Sequence, residues 1–183
     1  MLECRKALEV NEGDLDKAIT YLREKGLAAA AKKADREASE GIVEAYGHPG
    51  GRVGVLVEVN CETDFVARTD QFQTFVHDMA LHIAAMSPLY VTPEDVPPEV
   101  LEQKKEFYRQ QALQEGKPER IVERIVQGRL DKFYSETCLI EQPFVKDDEI
   151  LIKDLVKEKI AELKENVVIR RFARYELGHH VDE

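Results

Sequence analysis

The sequence predicts an α+β protein. An incomplete helical bundle comes first, followed by a core module with a small, mainly antiparallel sheet and packed helices that include a helical hairpin. Three observations predict this. Apolar residues recur with a 3.6-residue period before position 41 and again after position 61. Between them, residues 41–59 turn β-rich around the turn His48-Pro49-Gly50-Gly51-Arg52. A last β-rich run at 167–176 closes the chain. The order helices, hairpin, helices, strand is α+β rather than a repeating βαβ pattern. At 183 residues the chain is one domain, or one domain with a small appendage, and is long enough to bury a real core.

Each element has a local reason. A short helix spans roughly residues 2–10, and Asn11-Glu12-Gly13-Asp14 is the turn that ends it. Leu15, Ala18, Ile19 and Leu22 share one face of a second helix, and Gly26 after Arg23 and Lys25 reads as its C-cap. Residues 27–40, rich in Ala, Lys and Glu, read as a mostly solvated connector helix. Two helices this short bury little, so 1–26 reads as a partial bundle lacking a third helix. Residues 41–46 and 53–59 form a β-hairpin, the second strand so apolar that both of its faces should be covered. Phe72, Phe75, Val76, Met79, Ala80, Ile83 and Ala84 line one side of a helix that Ser87-Pro88 stops near Met86. Helices at about 99–115 and from 119, the latter with Ile121, Val122, Ile125, Val126 and Leu130 inward, form an antiparallel hairpin around Gly116. An amphipathic helix at 151–163 and a strand at 167–176 complete a core domain of residues 41–178, with a polar tail at 179–183.

Charge narrows the function. Lys plus Arg total 26 against 36 Asp plus Glu, a net charge of −10, which is the wrong sign for holding phosphate backbones or anionic lipid. Trp is absent and aromatics are 7% of residues, so platforms for base stacking are few. Neither a nucleic-acid partner nor a membrane is expected. No stretch nears the roughly 20 apolar residues of a membrane span. The N-terminus has no apolar signal core, and three widely separated cysteines (Cys4, Cys61, Cys138) suit a reduced cytoplasm.

Enzyme motifs are missing. There is no phosphate-binding loop, dinucleotide fingerprint, nucleophile elbow or C-x-x-C, so no cofactor is expected. His77 and His82 stand five apart on one helix, whereas a zinc pair wants i, i+4 and a third ligand; ordinary helix residues near a core fit better. His179 and His180 fall in the polar tail. One cluster stands out: Cys61-Glu62-Thr63-Asp64-Phe65-Val66-Ala67-Arg68-Thr69-Asp70, a strand-to-helix corner with Thr63 or Thr69 as N-cap. Asp64 and Phe65 have two readings there. Asp64 complements the helix dipole while Phe65 staples the corner into the core, or the acid and the ring together protrude into a partner. Periodicity does not choose between them.

Four stretches then carry a resemblance: residues 1–8 (MLECRKAL), 30–34 (AAKKA), 57–67 (VEVNCETDFVA) and 142–145 (QPFV), with Gly128-Arg129 and the 166–172 strand agreeing. Together they resemble the elongation factor Ts family, the bacterial nucleotide exchange factors for elongation factor Tu. The resemblance implies a three-helix bundle of the ubiquitin-associated type, whose first helix would precede Met1, and then one core module. It implies the short form of the family, pairing as a homodimer; because a small single-module sheet leaves an apolar face or an edge to cover, that pairing is expected through the core sheet and the 167–175 strand. It implies that Asp64 and Phe65, flanked by Thr63 and Val66, wedge between two helices of the partner's nucleotide domain and disturb its magnesium site and phosphate loop. Met1 and Leu2 match bundle positions that touch a second partner helix, and His48 matches a turn histidine contacting the nucleotide domain. No bond is made or broken, so the chain is not expected to be an enzyme. Two other readings stand beside this one: an adaptor whose bundle binds another protein without exchange activity, and a metal-dependent enzyme using His77, His82 and a carboxylate.

Overall fold

A computed structural model describes residues 2–178. Helix α1 (Leu2–Val10) turns through Glu12 and Gly13, both at positive φ, into α2 (Leu15–Ala31), whose first turn is capped by the Asp14 carboxylate accepting from Lys17 N at 3.1 Å. The chain then passes into the hairpin of β1 (Glu40–Gly47) and β2 (Val53–Cys61). Two successive helices follow, α3 (Asp64–Ala67) and α4 (Asp70–Met86). Next come the helical hairpin of α5 (Pro98–Gln114) and α6 (Glu119–Thr137) and a small hairpin of β3 (Pro143–Phe144) and β4 (Asp147–Leu151). Helix α7 (Ile152–Leu163) and β5 (Val167–Glu176) end the fold. The main sheet is antiparallel in the order β1-β2-β5, with a bulge at Glu58/Val59 where β2 meets β5.

The core lies on one side of that sheet. Val55, Val57 and Val59 alternate inward from β2 onto α4, whose Phe72, Phe75, Val76, Met79, Ala80 and Ile83 are buried at the 3.6-residue spacing the sequence shows. Ile152, Ile160, Val167 and Ile169 close the other end. The helical hairpin carries a small core of its own from Ala112, Val122, Val126 and Leu130, while Ile121 stays exposed. Among the described residues, no helix is long and apolar enough to cross a membrane.

Three expectations are corrected. Gly26 does not stop a helix, and 27–40 is not a connector helix: α2 continues through Gly26 to Ala31, followed by turns and then β1. The glycine serves close approach, because a Cβ there would stand 3.3 Å from the Ala161 Cβ of α7. Second, β2 is covered on one face only. Its outer face leaves Leu56 exposed beside Val43 of β1 and Tyr175 of β5, with a Glu58–Arg171 ion pair at 2.7 Å across the strands. A run of apolar residues cannot reveal which alternate positions face a neighbour. Third, of the face Leu15, Ala18, Ile19, Leu22, Ala18 is buried, whereas Leu15 and Ile19 are exposed.

Candidate functional site

The corner after β2 is built by two threonine caps in succession. β2 ends at Cys61, and the chain has two residues, Glu62 and Thr63, in which to leave the ladder and start a helix. Thr63, extended at φ −131° and ψ 152°, caps α3 by accepting from Val66 N at 3.4 Å. Six residues on, Thr69 caps α4, accepting from Phe72 N at 3.3 Å and donating to the Val66 carbonyl at 2.8 Å. The sequence offered either threonine as one cap; the structure uses both, for two helices.

This arrangement decides the fate of the acid–aromatic pair. Val66 packs partly against the core and Ala67 is buried. Phe65, one residue back on a single helical turn, points the other way and is 81% exposed. The staple reading of Phe65 is therefore wrong for this fold. Asp64 lies in the first turn of α3, where the helix dipole favours it, and its carboxylate pairs with Arg68 at 2.8 Å. The pair is exposed, so it adds little stability. An unpaired aromatic ring beside a carboxylate, on a backbone anchored from beneath, is a surface with more apolar area than the fold requires of it.

The anchor comes from a loop the sequence did not single out. Glu165, between α7 and β5, accepts from Glu62 N at 3.1 Å, Thr63 N at 3.0 Å and the Thr63 hydroxyl at 2.7 Å. Glu62 answers by accepting from Asn166 N at 2.7 Å. The buried Asn166 amide donates to the carbonyls of Ala34 and Arg36, at 3.2 and 2.7 Å. Cys61 donates its thiol to the Thr63 carbonyl at 3.2 Å. Burial, helped by the Glu165 charge, pushes that thiol up to about 11, so it is a structural group rather than a nucleophile.

The remaining candidates lie apart. His48 sits in the β1–β2 turn, exposed, its Nδ1 3.2 Å from the Tyr46 hydroxyl. Tyr46 meets His77 edge-on at 5.5 Å, and His77 Nδ1 lies 3.1 Å from Glu44 Oε1. At about 3.3 Å per residue the hairpin separates His48 from the Phe65 corner by roughly 25 Å. Leu2, on α1, is 81% exposed. Met1, His179 and His180 lie outside the described residues.

His82 does something other than bind metal. It is buried, its Nδ1 accepts from Val145 N at 3.2 Å, and its Nε2 therefore carries the proton toward Gln142 Oε1 at 3.0 Å. Gln142 in turn donates to the Glu136 carbonyl at 2.9 Å. Both ring nitrogens are used, and burial holds the imidazole below its ordinary range. Buried Gln142 and His82, with the Val145 amide, thus form a polar latch between α4 and the β3–β4 hairpin, and Phe144 lies tilted to the His82 ring with centroids 6.2 Å apart.

A protein-family model described as elongation factor Ts matches residues 5–179. The chain is 61% identical over 178 residues to elongation factor Ts of Carboxydothermus hydrogenoformans, covering 97% of this chain and 82% of that one. It is 59% identical over 181 residues to elongation factor Ts of Moorella thermoacetica, covering 99% and 89%. It is 60% identical over 183 residues to elongation factor Ts of Caldanaerobacter subterraneus subsp. tengcongensis, covering 100% and 92%.

Proposed function

The chain belongs to the elongation factor Ts family, and from that premise we propose that it binds elongation factor Tu and accelerates its release of GDP, with Asp64 and Phe65 as the intruding pair. The observation that supports this most is the Phe65 ring, 81% exposed on a one-turn helix whose backbone is fastened by two caps and a carboxylate. Exposure of a large ring on a rigid support suits a partner's pocket, where aromatic anchors concentrate binding energy.

Exchange of this kind needs no bond chemistry from the chain. A bound guanine nucleotide is held by phosphate contacts and Mg²⁺. A factor that binds the empty partner better than the loaded one must, by linkage, weaken nucleotide binding by the same factor. A ring wedged between helices and a carboxylate set near the magnesium shell supply that difference. Met1, Leu2 and His48 would add contacts away from the wedge, and Thr63 and Val66 would hold the wedge in place. In this reading residues 1–26 form a partner-binding appendage and residues 41–178 the exchange module.

The open outer face of the sheet supports a second element, a homodimer. Val43, Leu56 and Tyr175 are exposed together there, with Ala45 and Ala173 between them. A second copy laid on this face would cover them.

The test is stimulated release of labelled GDP from elongation factor Tu on adding the chain. An adaptor would bind the nucleotide-free partner and leave the release rate unchanged, and that outcome would sink the exchange reading.

A further inference from the structure

We propose that Glu165 is a positioning residue for the Asp64–Phe65 corner, acting through Thr63; this rests on the reading of Phe65 as the partner contact. Because the Phe65 ring is 81% exposed, packing does little to aim it. Its direction is set by the backbone of α3, a single turn of helix that cannot hold itself in isolation. Val66 and Ala67 hold the inner side of that turn against the core. The entry side depends on Thr63, whose cap to Val66 works only if the Thr63 backbone and hydroxyl keep their orientation.

Glu165 supplies that orientation. Past the end of β2, the N–H groups of Glu62 and Thr63 have no strand partner, and Glu165 Oε2 accepts both, at 3.1 and 3.0 Å. Glu165 Oε1 accepts the Thr63 hydroxyl proton at 2.7 Å, which turns the oxygen's lone pairs toward Val66 N. Bonds to an ionised acceptor are about twice as strong as neutral ones. The left-handed residue Lys164, at φ 61°, ends α7 and delivers Glu165 to this place. The return bond from Asn166 N to Glu62 makes the clamp reciprocal, so neither loop can shift alone.

The test compares the full chain with Glu165→Ala and Glu165→Gln, each with and without Phe65→Ala, by amide hydrogen exchange and by GDP release from elongation factor Tu. Glu165→Ala should unprotect the amides of Glu62 and Thr63, leave the Val53–Val59 stretch protected, and slow release about tenfold. Glu165→Gln should retain most of the rate, since its amide oxygen can take both N–H donors while its NH₂ faces the Thr63 oxygen. In the Phe65→Ala background, Glu165→Ala should add no further slowing. Wild-type release by Glu165→Ala, or equal slowing with Phe65 already removed, would overturn the proposal while leaving the Phe65 reading intact. Wild-type release by Phe65→Ala alone would overturn that reading and this inference with it. Should Glu165→Ala fail to fold, Thr63→Val keeps the side-chain shape and removes the hydroxyl link and its cap; it should slow release, add nothing in the Phe65→Ala background, and leave the Glu62 and Thr63 amides protected by Glu165.

Discussion

Truncating Phe65 to Ala removes a ring that is already 81% in solvent, so the folded state loses little buried apolar area. A surface change of this kind shifts stability by no more than about 0.5 kcal/mol. The matched control is Phe72→Ala, seven residues along, where the ring is 0% exposed in the main core and truncation costs roughly 3–5 kcal/mol. If Phe65 fills a pocket on the partner, its loss there is worth about 2 kcal/mol, and at 1.36 kcal/mol per tenfold this is about thirtyfold in exchange efficiency. Fluorescent GDP release measured by stopped flow, beside a thermal melt of each variant, separates the two effects. Exchange at the wild-type rate with an unchanged melt would refute the wedge. A melt lowered as far as that of Phe72→Ala would refute the exposed placement of the ring.

Other outcomes follow from the same geometry. Buried neutral His82 sits below its ordinary 6.5, so the unfolded chain takes up a proton near that pH and the folded chain does not. Stability should therefore fall as pH drops below about 6.5, by up to roughly 1.4 kcal/mol per pH unit, and denaturant titrations of His82→Gln should lack that component of the slope. Gly41→Ala should lower stability by roughly 1–3 kcal/mol in a thermal melt: at φ +145° a Cβ would run into the Val59 carbonyl oxygen and stand 2.7 Å from Asn60 Cα. Leu56→Glu, placing charge in the middle of the sheet's outer face, should convert a species sedimenting at twice 20.9 kDa into a monomer with no loss of fold. A wild-type chain that is monomeric at micromolar concentration would exclude that dimer.

Periodicity made much of this fold readable. The α4 face was legible because each of its seven apolar positions has the core as its only outlet, and the hairpin because its turn chemistry is explicit. Gly26 was misread because a helix-ending glycine and a helix-crossing glycine look alike in sequence, and what distinguishes them is Ala161, on a distant helix. Phe65 could not be assigned for a related reason. A staple and a protruding ring occupy the same sequence position, and only the orientation of a one-turn helix separates them. Glu165 had no signal at all: it is one acid among 36 Asp and Glu residues, and its role rests on contacts some hundred positions away.

The unbroken α2 limits how the N-terminal pair of helices can swing. With no joint at Gly26, residues 15–31 move as one stiff rod whose far end lies against α7. The next stretch is tied as well, since Asn166 holds the carbonyls of Ala34 and Arg36. Leu2 therefore stands at the far end of an arm whose root is fixed on α7 and on Asn166, next in the chain to the Glu165 that fastens the Phe65 corner, so both candidate contact points are referred to one anchor.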